Sequence, residues 1–249
     1  YGSELAFIGC IACMVNVATG SLLLSVLVAL AVGLAFGALS GFIITRFSIP
    51  AFIMTLALTE AARGGAVLVT GGNTISGLTP AFTAMGQGYV GPIPIAVLIL
   101  ILAFAVMWTI LNKTPYGRYI YAVGGNDKAA EASGINPKSV VFKAYLLDGV
   151  LTGIASLLLM ARLNSGVPGA GVSYEMDAIT AVVVGGTSMS GGSGTLFGTI
   201  VGAVIVGIIN NVQTLMGVDS NIQKIVKGVI IVGAVIIDVV TKRSAKKAR

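Results

Sequence analysis

Apolar residues in this chain come in long unbroken runs rather than in alternation. Residues 22–42, 93–111, 140–161 and 226–240 are nearly all apolar or small, and each approaches the ~20 residues a helix needs to cross a hydrocarbon core of ~30 Å. Continuous runs predict helices, because strands of a membrane barrel would alternate lipid-facing and lumen-facing positions. Five spans are predicted at 21–45, 50–70, 91–112, 140–162 and 220–241. Two more, at 4–20 and 193–214, carry more small or polar residues.

The polar interruptions orient these spans. The connection 113–139 carries Lys113, Arg118, Lys128 and Lys138, and the tail carries Lys242, Arg243, Lys246, Lys247 and Arg249. Lys and Arg mark the cytoplasmic side, so both are predicted inside, with Arg46 on the same side. The connection 71–91 holds no Lys or Arg and falls outside, as does 162–173. That topology leaves a parity gap. Residue 163 lies outside and the tail inside, yet 193–214 and 220–241 supply an even number of crossings. One further crossing must lie within 164–192, where the apolar stretch 178–184 is too short for a regular span. A broken or re-entrant helix over 174–189, interrupted near Gly185-Gly186, is therefore predicted. Irregular backbone at membrane depth needs protein or a wet cavity around it. The fold class is all-α: a polytopic transmembrane bundle of about seven spanning helices plus one broken segment.

Composition agrees. Hydrophobic residues make up 56%, charged residues 10%, and mean hydropathy is +0.98, against roughly 25% charged residues in soluble domains. The absence of histidine excludes histidine catalysis and histidine metal ligation. Cys10 and Cys13, inside an apolar run, read as packing residues rather than a redox pair. The net charge of +6 sits in connections and tail, without the basic stripe and interleaved aromatics of a nucleic-acid surface. Glycines at Gly33, Gly37 and Gly41, at Gly149 and Gly153, and at Gly198 and Gly202 recur every fourth residue, the spacing that lets helix backbones approach closely. The glycine-rich stretch 185–195 lacks the Lys of a phosphate-binding loop, so no cofactor site is predicted, and no catalytic or metal site either.

The stretch 114–139 is too ordered for a linker. Asn126 is a helix N-cap, Asp127 occupies the first turn, and Gly134 is a stop signal. They bracket a helix of about two turns with small Ala129 and Ala130. A helix so short is marginal by itself, which predicts a partner that holds it.

The string GRYIYAVGGN at 117–126, followed by Ala129-Ala130 and by SGIN at 133–136, resembles the signature loop of the ribose/galactose/xylose-type permeases of bacterial ABC importers. IPAFI at 49–53 through Arg63-Gly64, YEMDAI at 174–179 through GGTS at 185–188, and IVKG at 225–228 match the same family in order. The resemblance spans essentially the whole chain. It implies one transmembrane permease domain over 1–249 in the bacterial inner membrane, and a homodimer in the lipid bilayer. It implies as partners cytoplasmic ATP-binding-cassette ATPase subunits, which consume the ATP, and a periplasmic sugar-binding protein. It also implies that 114–139 is a cytoplasmic coupling loop, with Gly124, Gly125, Asn126, Asp127, Ala129, Ala130, Glu131 and Gly134 contacting the ATPase. Ribose is the first expectation for the sugar, with galactose, xylose and related compounds behind it. Family members carry further helices ahead of the point that Tyr1-Gly2-Ser3 resembles. An N-terminal part of roughly 40 residues or more is thus expected to be lacking.

A neutral, polyhydroxylated sugar needs hydrogen-bonding side chains along its path, and intramembrane polar residues are candidates because they are costly in lipid. Glu60, Arg63, Asp148, Glu175, Asp177, Asn210 and Asn211 are the path candidates, with Gln213 beside the last two. Glu60 and Arg63, three apart on one helix face, are read as a structural ion pair rather than a sugar contact. Lys224 and Lys227, opening the last span, are read as snorkelling outward. A secondary transporter or channel for a small polar solute is the alternative; it would want midplane carboxylates for a coupling ion and no docking loop. A membrane enzyme would need a nucleophile, acid–base pair or metal cluster, which the dispersed carboxylates do not supply.

Overall fold

The structure, a computed structural model, describes residues 2–247, with side chains through residue 236. Among the described residues eleven helices follow one another: α1 (Gly2–Thr19), α2 (Leu22–Phe47), α3 (Ala51–Thr70), α4 (Pro80–Gln87), α5 (Ile95–Lys113), α6 (Pro115–Gly125), α7 (Asp127–Ala132), α8 (Pro137–Leu163), α9 (Tyr174–Val184), α10 (Leu196–Leu215) and α11 (Ser220–Lys247). The hairpin of β1 (Tyr89–Val90) and β2 (Ile93–Pro94) is the one sheet among the described residues. Among the described residues six helices, α1, α2, α3, α5, α8 and α10, are long and apolar enough to cross a membrane. They coincide with six of the predicted spans. The seventh, 220–241, falls on α11, whose side chains beyond residue 236, those of the basic tail used for orientation included, lie outside the described residues.

Helix ends follow local chemistry. Ser21 caps α2 by accepting from Leu24 N at 3.3 Å, and Asn136 caps α8 by accepting from Ser139 N at 3.2 Å, which satisfies N–H groups that have no partner inside the helix. Gly71 closes α3 with φ +61, its N–H reaching the carbonyls of Leu68 and Val67. At 27 residues α8 is roughly 40 Å long, longer than the hydrocarbon core, so it tilts or projects.

The chain divides into two compact units. One comprises Tyr1–Val106 and Asn136–Val172. In it α2 and α8 pack backbone to backbone through the predicted glycines. A Cβ at Gly33 would overlap the carbonyl oxygen of Gly149, one at Gly37 that of Tyr145, and one at Gly153 would lie 2.8 Å from Ala29 O. Ile8, Cys13, Phe82, Leu157 and Met160 form the core beside this contact, and Phe7 meets Phe36 edge to face at 5.5 Å. Cys10 and Cys13 are buried and free. The helix α5 has no buried residue in the chain, as a lipid-facing helix would.

Two connections contain helices beyond those predicted. Within 71–91 lies α4, capped by Thr79 with Pro80 in the first turn, and its Phe82 is fully buried. Within 114–139, α6 precedes the predicted short helix. It opens with the same Thr-Pro signal, Thr114-Pro115, since Pro fits the first turn, where its missing N–H costs nothing. The connections 71–91 and 162–173, placed on one side by charge, do meet: Ile75 and Gly166 exchange two backbone hydrogen bonds of 2.9 Å, and Gln87 Nε2 donates to Arg162 O at 3.0 Å.

The other unit comprises Met107–Ile135 and Ser173–Arg249. It joins the 114–139 stretch to α9, α10 and α11. The predicted break is where the sequence placed it: α9 ends at Val184, Gly185 caps it, and Gly186 turns with φ +84. Irregular backbone then runs to the cap of α10 at Thr195.

Candidate coupling and translocation site

The 114–139 stretch is built as a staircase of capped helices. Thr114 Oγ1 donates to Ile110 O at 2.6 Å and accepts from Gly117 N at 3.4 Å, turning α5 into α6. Gly117 sits against the carbonyl of Leu111, where a side chain would collide. Burial pushes the Tyr116 phenol above its ordinary range, so it is neutral at physiological pH. Asn126 ends α6 and starts α7, its Oδ1 accepting from Ala129 N at 3.0 Å. Gly134, at φ +81, closes the short helix. Asp127, Ala129 and Glu131 are exposed, while Ala130 is only 4% exposed. Of the two small residues that the sequence assigned to a partner's groove, Ala130 therefore faces its own chain. Helix geometry turns successive residues by about 100°, so a two-turn helix packed on α6 cannot present both outward.

Gly124 and Gly125 are exposed but also touch their own chain. They lie against Gly191 and Gly192 in the irregular segment after α9, and Tyr121 Oη donates to Gly194 O at 3.0 Å. The other end of that segment is held to α9 by the bond from Thr187 N to Val182 O, 3.1 Å. Along α9, Ala181 and Gly185 meet Gly202 and Gly198 of α10 backbone to backbone.

The intramembrane polar residues sort differently from the sequence expectation. Arg63 does not pair with Glu60. Its Nη1 donates to Pro168 O at 2.7 Å and Ala170 O at 3.0 Å, while Glu60 is exposed. A guanidinium satisfies several carbonyls at once, and these two come from a connection a hundred residues away that local spacing cannot reveal. Lys227 does not snorkel outward either. Its Nζ lies 2.7 Å from Oδ1 and 3.0 Å from Oδ2 of Asp177, tying α11 to α9. Lys224 is exposed, and Glu175 and Asp148 are half-buried. Asn211 is exposed, whereas Asn210 Oδ1 and Gln213 Oε1 are buried acceptors without a hydrogen-bond partner among the described residues. Sequence reasoning missed Tyr121, the glycines at 191, 192 and 194, and Glu4, which is 2% exposed in α1. Glu4 could have been flagged, being an acid inside a predicted span; nothing in the sequence pairs the two Gly-Gly steps.

Among the described residues, six helices able to cross a membrane and a capped connecting stretch define a polytopic helical membrane protein. The family model described as the permease component of branched-chain amino acid transport systems matches residues 3–235. The ribose import permease of Bacillus subtilis (strain 168) is 46% identical over 208 residues, covering 83% of this chain and 64% of its own length. That of Haemophilus influenzae is 42% identical over 241 residues, 95% of this chain and 75% of its own. The galactose/methyl galactoside import permease of Salmonella typhimurium is 37% identical over 230 residues, 90% of this chain and 68% of its own. The chain thus spans from 64% to 75% of the length of these relatives, and no solved structure matches it. The chain belongs to this permease family of bacterial ABC importers: it is a multi-pass membrane permease and not an enzyme.

Proposed function

We propose that this chain forms the translocation path of an importer for a monosaccharide, ribose first, and couples it to separate ATPase subunits. Its partners on this reading are cytoplasmic ATP-binding-cassette subunits, a periplasmic sugar-binding protein and a second copy of the permease. The whole of 1–249 acts as one transmembrane permease domain, with 114–139 its cytoplasmic coupling loop. The observation that carries the reading is the contact of Gly124-Gly125 and Tyr121 with Gly191, Gly192 and Gly194. The segment that leaves the outer connection at Ser173 reaches the basic, cytoplasmic connection about twenty residues later. An 11-residue helix rises only roughly 16 Å, so irregular backbone completes the crossing, as parity requires. Such backbone at membrane depth needs protein or a wet cavity around it, and on this reading that cavity is the path.

Family membership alone leaves the substrate class open, since the family model is described by amino-acid transport. The sugar reading rests on the ribose and galactose permeases above and on a pair of uncharged acceptors in α10. Asn210 Oδ1 and Gln213 Oε1 lie one helical turn apart on α10, and sugar hydroxyls are donors for both. Asp177 is paired with Lys227. Glu60, Arg63, Asp148, Glu175 and Asn211 complete the candidate path residues. The test is uptake into proteoliposomes carrying the permease, its ATPase subunits and binding protein. It is screened over ribose, xylose and galactose, with leucine as the competing class. ATP-dependent uptake of a pentose or hexose supports the reading; uptake of leucine alone overturns it.

A further inference from the structure

Resting on the coupling-loop reading above, we propose that the face-to-face packing of Gly124-Gly125 on Gly191-Gly192, locked by Tyr121, transmits ATPase motion to the broken helix. Four observations converge on it. No side chain separates the two strands of backbone: a Cβ at Gly124 would lie 2.8 Å from Gly192 N, one at Gly192 would lie 2.6 Å from Gly125 Cα, and one at Gly191 would overlap the Gly124 carbonyl. The glycine segment is internally braced, Ser188 N donating to Ser193 O at 3.0 Å and Gly191 N to Ser188 O at 3.1 Å. Its conformation requires glycine, with φ of +82 at Gly191 and +73 at Gly192. On the other side Asn126, the cap of the short helix, follows Gly125 directly.

Backbone packed on backbone has no rotamers with which to absorb a displacement. A push on α7 therefore moves the glycine segment rather than being dissipated in side chains. From there the path is continuous: Thr187 N and Gly186 N are bonded to Val182 O and Val183 O, and α9 is held to α11 by Asp177 and Lys227. Gly124, Gly191, Gly192 and Tyr121 are thus positioning residues, acting on the path through α9 without touching sugar.

The test uses the full permease, reconstituted with its ATPase subunits and binding protein under conditions in which the wild type takes up radiolabelled ribose. Gly124→Ala inserts a methyl into the contact at a position whose φ alanine tolerates. Tyr121→Phe adds no bulk and deletes only the bond to Gly194. Three quantities are read: ATPase subunit binding, ATP hydrolysis, and uptake. A fourth is maleimide labelling of a Met189→Cys background, nucleotide-free against vanadate-trapped; Met189 is 58% exposed. Expected for Gly124→Ala are wild-type ATPase binding, near-normal hydrolysis, uptake lowered about tenfold or more, and loss of the nucleotide-dependent change in labelling. Tyr121→Phe should lower uptake per ATP by roughly two- to fivefold, as one hydrogen bond would. Wild-type uptake per ATP in both variants overturns the proposal. So does a loss of ATPase binding in step with uptake, which would make the contact part of docking itself. If instead the ATPase ignores α7, seen as unchanged binding to an Ala129→Trp variant, the coupling-loop reading falls and the transmission contact with it.

Discussion

Replacing Gly33 by valine tests whether the α2–α8 contact is the structural keel of its unit. A Cβ at Gly33 would overlap the Gly149 carbonyl oxygen and stand 3.2 Å from Gly153 N. Ordinary contacts lie near 3.5–4.0 Å, so the helices must separate by about 1 Å to accept even the first carbon. A gap of that size forfeits a quarter to a half of each dispersion contact along the seam. The seam runs from Ala29 to Gly41 on one helix and Phe142 to Gly153 on the other. Lipid tails are as apolar as the side chains they would replace, so no hydrophobic gain compensates. Overpacking of this kind costs ~1–3 kcal/mol, or roughly a five- to hundredfold shift in the folded fraction. Leu34→Val is the control, because Leu34 is 43% exposed and a substitution away from packed contacts changes stability by ~0.5 kcal/mol or less. Thermal unfolding in detergent micelles, read by circular dichroism, separates the two. Equal midpoints for Gly33→Val and wild type would refute the tight-seam reasoning.

Other outcomes follow from single contacts. Ala129→Trp, on the exposed side of α7, should weaken ATPase binding in a pull-down by roughly five- to hundredfold through ~1–3 kcal/mol of overfilling, with the permease itself inserted normally. Gly134→Val should lose ATPase binding for a different reason: its Cβ meets nothing within 4 Å, but φ +81 costs a β-branched residue ~1–2 kcal/mol. Lys227→Met leaves half-buried Asp177 uncompensated and should lower the unfolding free energy by ~1–3 kcal/mol, measured by denaturant titration; the exchanged pair Asp177→Lys with Lys227→Asp should regain part of it. In intact cells a cysteine at Val90, 59% exposed, should react with an impermeant maleimide, and one at Lys128 only after permeabilisation. The reverse pattern would invert the topology.

The chain's own order of residues determined what is local or periodic. Run length set the helices, and Lys and Arg placement set their expected direction. Gly185-Gly186 marked the break, Asn126 and Gly134 marked the short helix, and the fourfold glycine spacing marked the seam. Each depends on neighbours within a few residues, where backbone propensity, capping and burial periodicity act. The Thr-Pro starts of α4 and α6 are equally local signals.

Tertiary structure alone decided which polar groups meet. Arg63 sits one turn from Glu60, yet its guanidinium reaches carbonyls at 168 and 170; Lys227 finds Asp177 fifty residues away. Glycine spacing said that helices pack closely but not that Gly33 faces Gly149, nor that Gly124 and Gly125 lie on Gly191 and Gly192. Ala129 and Ala130 are identical side chains in adjacent positions, and only packing makes one a surface and the other core. The physical reason is common to all four. A charge or a small residue declares what it needs, a countercharge or a close backbone, and any of several distant segments can supply it. The choice among them is made by the fold as a whole, where one arrangement satisfies every such need together.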